Sequence, residues 1–320
     1  MASSVRNDLP GGAPHRLNDE ARDVMRNRVF ERYENFMLAH VEFDDQGRFW
    51  ATGTTNGMNQ FEALEAMMER MMGHEGDEKR PFEDGVLIFC FVHGWNNNAA
   101  EGNANLDNLR DLLHRFSKEE KEFAAASGRP ARSVLGIYMS WRGKQIADGT
   151  EWPVVRDLNR IPGVRIPLQL LNVPRFLTYW NRKGTAEQVG RRSMAAALTH
   201  LYHLRGEVDK AFNVAPSESH SRVIVIGHSF GGAAVFSAVN RFFEDSLIHV
   251  VDEDNEDITI GRRWDLVLLA NPAFEALQYD MIHTLNQQLP DLENPNPTIF
   301  LPRMSIIRAR NDVATGPVFK

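Results

Sequence analysis

Two hydrophobic patterns alternate along the chain. Largely apolar runs of four to nine residues predict strands, Val86–Val92 and Ser133–Trp141 among them buried in the sheet: Val86–Val92, Ser133–Trp141, Val223–Ile226, Trp264–Ala270 and Met304–Arg308. Between them, apolar residues recur every three or four positions and predict helices. Leu106, Leu109, Leu112, Leu113 and Phe116 mark one; Ala233 to Phe243 and Thr185 to Phe212 mark two more. Gln60 to Met72 is a methionine-rich helix, with Phe61, Leu64, Met67, Met68, Met71 and Met72 as gap-filling core. A further helix follows Asn271–Ala276 and runs to about Leu289. Nearer the N-terminus, Leu17–Leu38 has helical spacing, through Val24, Val29, Phe30, Tyr33, Phe36 and Met37, with Asn18 as its cap. His40 to Trp50 reads as two short strands joined at Asp44-Asp45-Gln46-Gly47.

Alternation of buried strands with helices predicts an α/β fold, a mostly parallel central sheet covered by helices on both faces. The runs at 86–92, 134–139, 223–226, 266–269 and 305–307 are expected to be neighbouring parallel strands. Residues 1–16 read as a mobile tail and 17–320 as a single domain. One segment breaks the alternation. Residues 144–184 contain several prolines, and Val164, Ile166, Leu168, Leu171, Phe176 and Trp180 give them apolar clusters without a clear period. A stretch so long for a connection reads as an insertion and a lid candidate over the site, with a packed excursion as the alternative.

Composition narrows the function classes. At 320 residues, 42% hydrophobic and 25% charged, the chain suits a globular domain with an ample core. A net charge of −7 gives no reason to expect nucleic acid or an anionic membrane surface as partner. The single cysteine, Cys90, lies inside an apolar run, which excludes a disulfide framework and predicts a buried thiol. No apolar stretch has the length of a signal peptide or a membrane span, so a cytoplasmic protein is expected, with leaderless secretion as the alternative. Sequence gives no oligomeric state.

The strand Val223–Ile226 runs straight into Gly227-His228-Ser229-Phe230-Gly231-Gly232, and a helix pattern follows at once. Gly-x-Ser-x-Gly alone arises by chance in about one chain in ten of this length, from ordinary glycine and serine frequencies. Its context, strand before and helix after, is what gives it meaning. A serine at the apex of such a turn sits on a strained backbone, and glycines two residues to either side remove clashes with the strand and helix. The helix that follows aims its positive dipole end at Ser229, and the Phe230 amide is the first expected oxyanion donor. A second donor is expected from the loop after the central strand 86–92, which reads His93-Gly94-Trp95, and Trp95 N–H is that candidate. His93 itself reads as a structural residue holding the loop, because an oxyanion loop is the wrong side for a base.

Other candidates carry less. His200-x-x-His203 lies on one helix face but has no third ligand and no Glu after His200, so no metal site is expected. Asp252-Glu253-Asp254-Asn255-Glu256-Asp257 reads as a solvated acidic loop.

Taken together, Phe91-Val92-His93-Gly94-Trp95, Gly227-His228-Ser229-Phe230-Gly231-Gly232 and Asn311-Asp312 at a strand end follow the order of the α/β-hydrolase superfamily, which residues 85–320 resemble. Trp141-Arg142-Gly143, Asp265-Leu266-Val267 with Asn271-Pro272-Ala273-Phe274-Glu275-Ala276, and Asn311-Asp312-Val313-Ala314-Thr315 resemble an uncharacterised lipase- or esterase-like group within it. That resemblance implies chain order serine, acid, histidine. Ser229 matches the nucleophile and Asp312 the acid. The base histidine is unassigned: none follows His283, and the sequence stops where the pattern wants one more helix and strand. Three readings stay open, a fragment, a role for His283 from an unusual place, and a non-catalytic protein. The expected activity is hydrolysis of an apolar small-molecule carboxylic ester through an acyl-enzyme on Ser229, with no cofactor. Alternatives are a non-catalytic binding protein of the same fold and an amidase, thioesterase or acyltransferase using the same serine. Asp312 is expected on the same sheet edge as Ser229, with a gap of about one imidazole ring that no histidine fills, and His283 on a helix away from that edge.

Overall fold

The structure is a computed structural model that describes residues 30–44, 46–49, 59–73, 80–94, 104–141, 183–215, 218–252, 264–274, 276–287 and 304–308. Its frame is a sheet of seven strands among the described residues: β1 (Phe30–Arg32), β2 (Phe36–Phe43), β3 (Val86–Val92), β4 (Ser133–Trp141), β5 (Arg222–His228), β6 (Leu266–Ala270) and β7 (Met304–Ile307). They lie in the order β1-β2-β4-β3-β5-β6-β7. β1 runs antiparallel to β2, and every other pairing is parallel. The five predicted parallel strands are neighbours as expected, with β5 between β3 and β6 and β7 at the edge. Strand order reverses direction there: β3 and β4 lie to one side of β5, β6 and β7 to the other, so the carboxyl end of β5 opens at a crossover point.

The helices are α1 (Gln60–Met72), α2 (Ala104–Ala126), α3 (Ala195–Ala211), α4 (Phe230–Asp252) and α5 (Asp280–Gln287). α1 opens with a capping box. The Asn59 side chain accepts from the amides of Phe61 and Glu62, and the Glu62 carboxylate accepts from the Asn59 amide. Strand alternation divides the core in two. Val86, Ile88, Cys90 and Val92 of β3 face a layer built from α1, α3, α4 and α5, which includes Met68, Leu198, Val235 and Ile282. Leu87 and Phe89 face the other side, where Leu106, Leu109 and Leu113 of α2 cover them. Cys90 is buried as predicted, and its thiol is pushed upward by desolvation alone.

Three elements differ from expectation. The helix read over Leu17–Leu38 gives way to strands in its described part, Phe30–Arg32 and the first three residues of Phe36–Phe43. Phe36–Phe43 is apolar at nearly every position and pairs with β4 over eight residues, Phe36 with Val134 through Phe43 with Trp141. Burial between two sheet neighbours overrides a helical period in a run that both patterns fit. The paired strands read over His40–Trp50 reduce to the end of β2 and one antiparallel bridge, Phe43 to Phe49. The turn between them is held by the Asp44 carboxylate, which accepts from the amides of Gln46 (2.9 Å) and Arg48 (2.8 Å). The long helix read over Thr185–Phe212 is interrupted: helix 183–189 meets α3 through a π-turn, Gly190–Met194, that is kinked at Arg192, whose backbone is not helical. At this kink the Ser193 amide donates to the Gly47 carbonyl (3.2 Å) and the Arg192 guanidinium to that of Gln46 (2.9 Å).

Of the segment 144–184, only residues 183 and 184 are among those described, so its apolar clusters lie outside the structural account. So do residues 1–16, and the acidic stretch beyond Asp252.

Candidate functional site

Ser229 stands where β5 ends and α4 begins, at the carboxyl edge of the sheet. Its φ is +55°, in the left-handed region that a residue with a Cβ enters at a cost. Three backbone hydrogen bonds hold it there. Its N–H donates to the Ala270 carbonyl (3.0 Å), and its carbonyl accepts from the amides of Ala233 (3.2 Å) and Ala273 (2.9 Å). The flanking glycines answer to contacts. A Cβ on Gly227 would lie 2.8 Å from the Gly231 carbonyl oxygen, and one on Gly231 would lie 2.2 Å from that of Val92. Strand, turn and helix therefore close on one another only because both positions lack a side chain.

α4 starts at Phe230, whose ring is fully buried, so the positive end of a 23-residue helix lies against Ser229. Phe236 on the same helix stacks on Phe274 at 4.3 Å and fastens α4 to the chain leaving β6.

The loop after β3 arrives beside this turn. A Cβ placed on Gly94 would meet the Ser229 Cβ at 2.9 Å and the His228 carbonyl oxygen at 3.0 Å. The last described residue of that loop, Gly94, is thus in van der Waals contact with the serine. Trp95, the second predicted oxyanion donor, lies outside the described residues, and so does Asp312, the predicted acid.

His93 is the bolt that fixes the loop. It is fully buried. Its Nε2 accepts from the Trp141 amide (3.1 Å) and meets the Ser140 hydroxyl (3.1 Å). An amide can only donate, so the ring proton sits on Nδ1, which donates to the Gly94 carbonyl (2.7 Å). The Trp141 indole N–H returns a bond to the His93 carbonyl (3.2 Å), and the two rings lie parallel at 6.0 Å. Burial pushes the imidazole down to about 4, against the opposing pull of the Gly94 carbonyl bond. The residue is held neutral, with both nitrogens engaged in structure, as the structural reading of His93 expected.

Three other described histidines engage elsewhere. Among the described residues, no histidine is hydrogen-bonded to the Ser229 hydroxyl. His40 bonds Glu31 (3.2 Å), His200 bonds Glu65 (2.8 Å), and His283 is exposed on α5 against Gln287 (3.0 Å). His228 precedes Ser229 directly, at the end of β5. No group of three or more His, Cys, Asp or Glu among the described residues is placed to hold a metal ion. No helix among them is long and apolar enough to cross a membrane.

Two features beside Ser229 were quoted in the sequence only as parts of motifs, without a role. Trp141 and Ser140 support His93, and the turn Asn271–Ala273 supports the serine backbone. Asp265, a third, belongs to the opposite edge, where its carboxylate accepts from the Val223 amide (2.7 Å) and pairs with Arg222 and Arg205. Its distance along β6 from Asn271 gives it a framework role. Comparison with protein-family models, with curated proteins and with solved structures finds no match to this chain.

Proposed function

We propose that the protein is a cytoplasmic serine hydrolase of the α/β-hydrolase type that cleaves carboxylic esters through an acyl-enzyme on Ser229. The observation that carries this reading is the left-handed φ of +55° at Ser229, a non-glycine residue at the apex between the carboxyl end of β5 and the start of α4. Strain of this kind persists where the surroundings over-determine it and where it presents a side chain for use.

In this reading the Ser229 hydroxyl oxygen attacks the ester carbonyl carbon and forms a tetrahedral oxyanion. The Phe230 amide, at the positive end of α4, and the Trp95 amide, one residue beyond Gly94, donate to that oxyanion. Collapse expels the alcohol and leaves the acyl group on Ser229, and water then releases the acid. A histidine base takes the serine proton and Asp312 orients it; which histidine does so is unassigned. The substrate in this reading is a small apolar ester.

A second reading is a binding protein of the same fold that does not turn over. It is favoured by the absence, among the described residues, of a histidine bonded to the Ser229 hydroxyl. A panel of ester, thioester and amide substrates, assayed with the wild type and Ser229→Ala, separates the readings. Ester turnover that Ser229→Ala abolishes supports the hydrolase, preference for a thioester or amide reassigns the bond, and saturable ligand binding without turnover supports the binding protein.

A further inference from the structure

Two non-glycine residues with left-handed backbone lie side by side at the carboxyl edge of the sheet. His228 pairs with Ala270 at the end of the β5–β6 ladder, so Ser229 and Asn271 each stand one step beyond the last paired position. Their φ values are +55° and +44°. The two turns are joined through backbone: Ser229 N–H donates to the carbonyl just before Asn271, and the Ser229 carbonyl accepts from the amide of Ala273, two residues after it. The Asn271 amide in turn donates to the Ile307 carbonyl of β7 (2.7 Å). Pro272 completes the turn, and a Cβ on Gly232 would sit 2.8 Å from the Pro272 Cβ, so the first turn of α4 rests on this proline.

We infer that Asn271-Pro272-Ala273 is a positioning device for the nucleophile, and that Asn271 is its key residue. This rests on the reading of Ser229 as a nucleophile. A left-handed residue at 271 reverses the chain direction just after β6, which carries the Ala273 amide back to the Ser229 carbonyl. Asparagine is the non-glycine residue that tolerates this conformation best, whereas a β-branched residue resists it. The bond from Ala273 holds the Ser229 carbonyl on the β6 side while the bond from Ala233 holds it along α4. With both in place, the peptide of Ser229 cannot relax toward a negative φ, and the hydroxyl stays presented at the edge. If the 271 turn relaxes, one of the restraints that keep Ser229 in its strained state is lost.

The test is a graded series, Asn271→Gly, Asn271→Ala and Asn271→Val, in the full chain. Two quantities are read well below each variant's melting point: the second-order rate of Ser229 labelling by a fluorophosphonate, and hydrogen exchange at the Ala273 amide. Glycine should keep the labelling rate within about twofold of wild type, and alanine and valine should lower it progressively, by about tenfold or more for valine, the size set by a left-handed penalty. Ala273 exchange should accelerate in the same order. If valine does not fold, the glycine–alanine pair carries the comparison. Wild-type labelling rates in alanine and valine, or unchanged Ala273 exchange, overturn the inference. If wild-type Ser229 takes no label, the nucleophile reading fails instead, and the exchange rates still decide whether this turn restrains the Ser229 backbone.

Discussion

Replacing His93 with leucine should remove a specific pH dependence from the stability of the protein. His93 is buried and neutral, and its imidazole is pushed from an ordinary 6.5 to about 4. In the unfolded chain it takes up a proton near the ordinary value. Between these two values the unfolded state binds more protons than the folded one, so wild-type stability is full above pH 6.5 and falls as pH drops towards 4. The span of the shift, at about 1.36 kcal/mol per pH unit, amounts to about 3 kcal/mol. The leucine variant cannot lose this increment. It also leaves the Trp141 amide and the Gly94 carbonyl without the partners His93 supplies, at about 1–3 kcal/mol for each buried group. His93→Leu should therefore be less stable than wild type by about 4 kcal/mol at pH 8 and by only about 1 kcal/mol near pH 4.5. Urea unfolding of both proteins across this range, with the midpoint and slope fitted at each pH, gives the difference directly. Taking the difference cancels every other titrating group the two proteins share. A gap that stays constant from pH 8 to 4.5, or one that widens as pH falls, would refute the neutral, buried assignment of His93.

Further outcomes follow from other contacts. Glu31 is buried, and its carboxylate accepts from Tyr33, His40 and twice from Arg110; burial alone would raise its titration, but these partners hold it well below the carboxylate range. Glu31→Gln should cost about 3 kcal/mol above pH 5, by urea unfolding, because Arg110 loses its buried counter-charge and keeps only the half-exposed Asp107; this stabilisation should fade as pH falls below the ordinary carboxylate value of 4.5. Gly231→Ala should cost about 3 kcal/mol in the same assay, since its Cβ would press on the backbone of β3. Ser229→Gly should raise stability by about 1 kcal/mol, the strain of the left-handed serine being released, while abolishing any hydrolysis.

The parallel sheet was legible because its strands read as largely apolar runs, β3 and β4 being buried on both faces and β5 and β6 buried at alternate positions. β3, β4 and the elbow at Ser229 lie where those runs place them, and the glycines of the motif meet the contacts the turn demands. β2 was hidden because Phe30, Tyr33, Phe36 and Met37 also satisfy a helical period, and only pairing with β4, nearly a hundred residues away, decides between them. The π-turn at Gly190–Met194 was hidden for a similar reason: it answers to the 44–48 turn, which sequence spacing cannot see. In the site, the motif residues were readable one by one, but their supports were not. His93 could be assigned a structural role from its place in the loop, whereas the bonds from Trp141 and Ser140 depend on the β3–β4 register. Asn271 stood in the sequence only as part of the Asn271–Ala276 motif, without a role, and its link to Ser229 exists only because β5 and β6 are neighbours.

The central claim is that Ser229 is a nucleophile, and it is tested most directly by incubating the folded full chain with a fluorophosphonate and mapping the adduct by peptide mass spectrometry. The account predicts a single adduct on the peptide carrying Ser229, prevented by prior heat unfolding and absent in Ser229→Ala at an unchanged melting temperature. A folded wild type that takes no adduct, or an adduct that persists in Ser229→Ala, would contradict it.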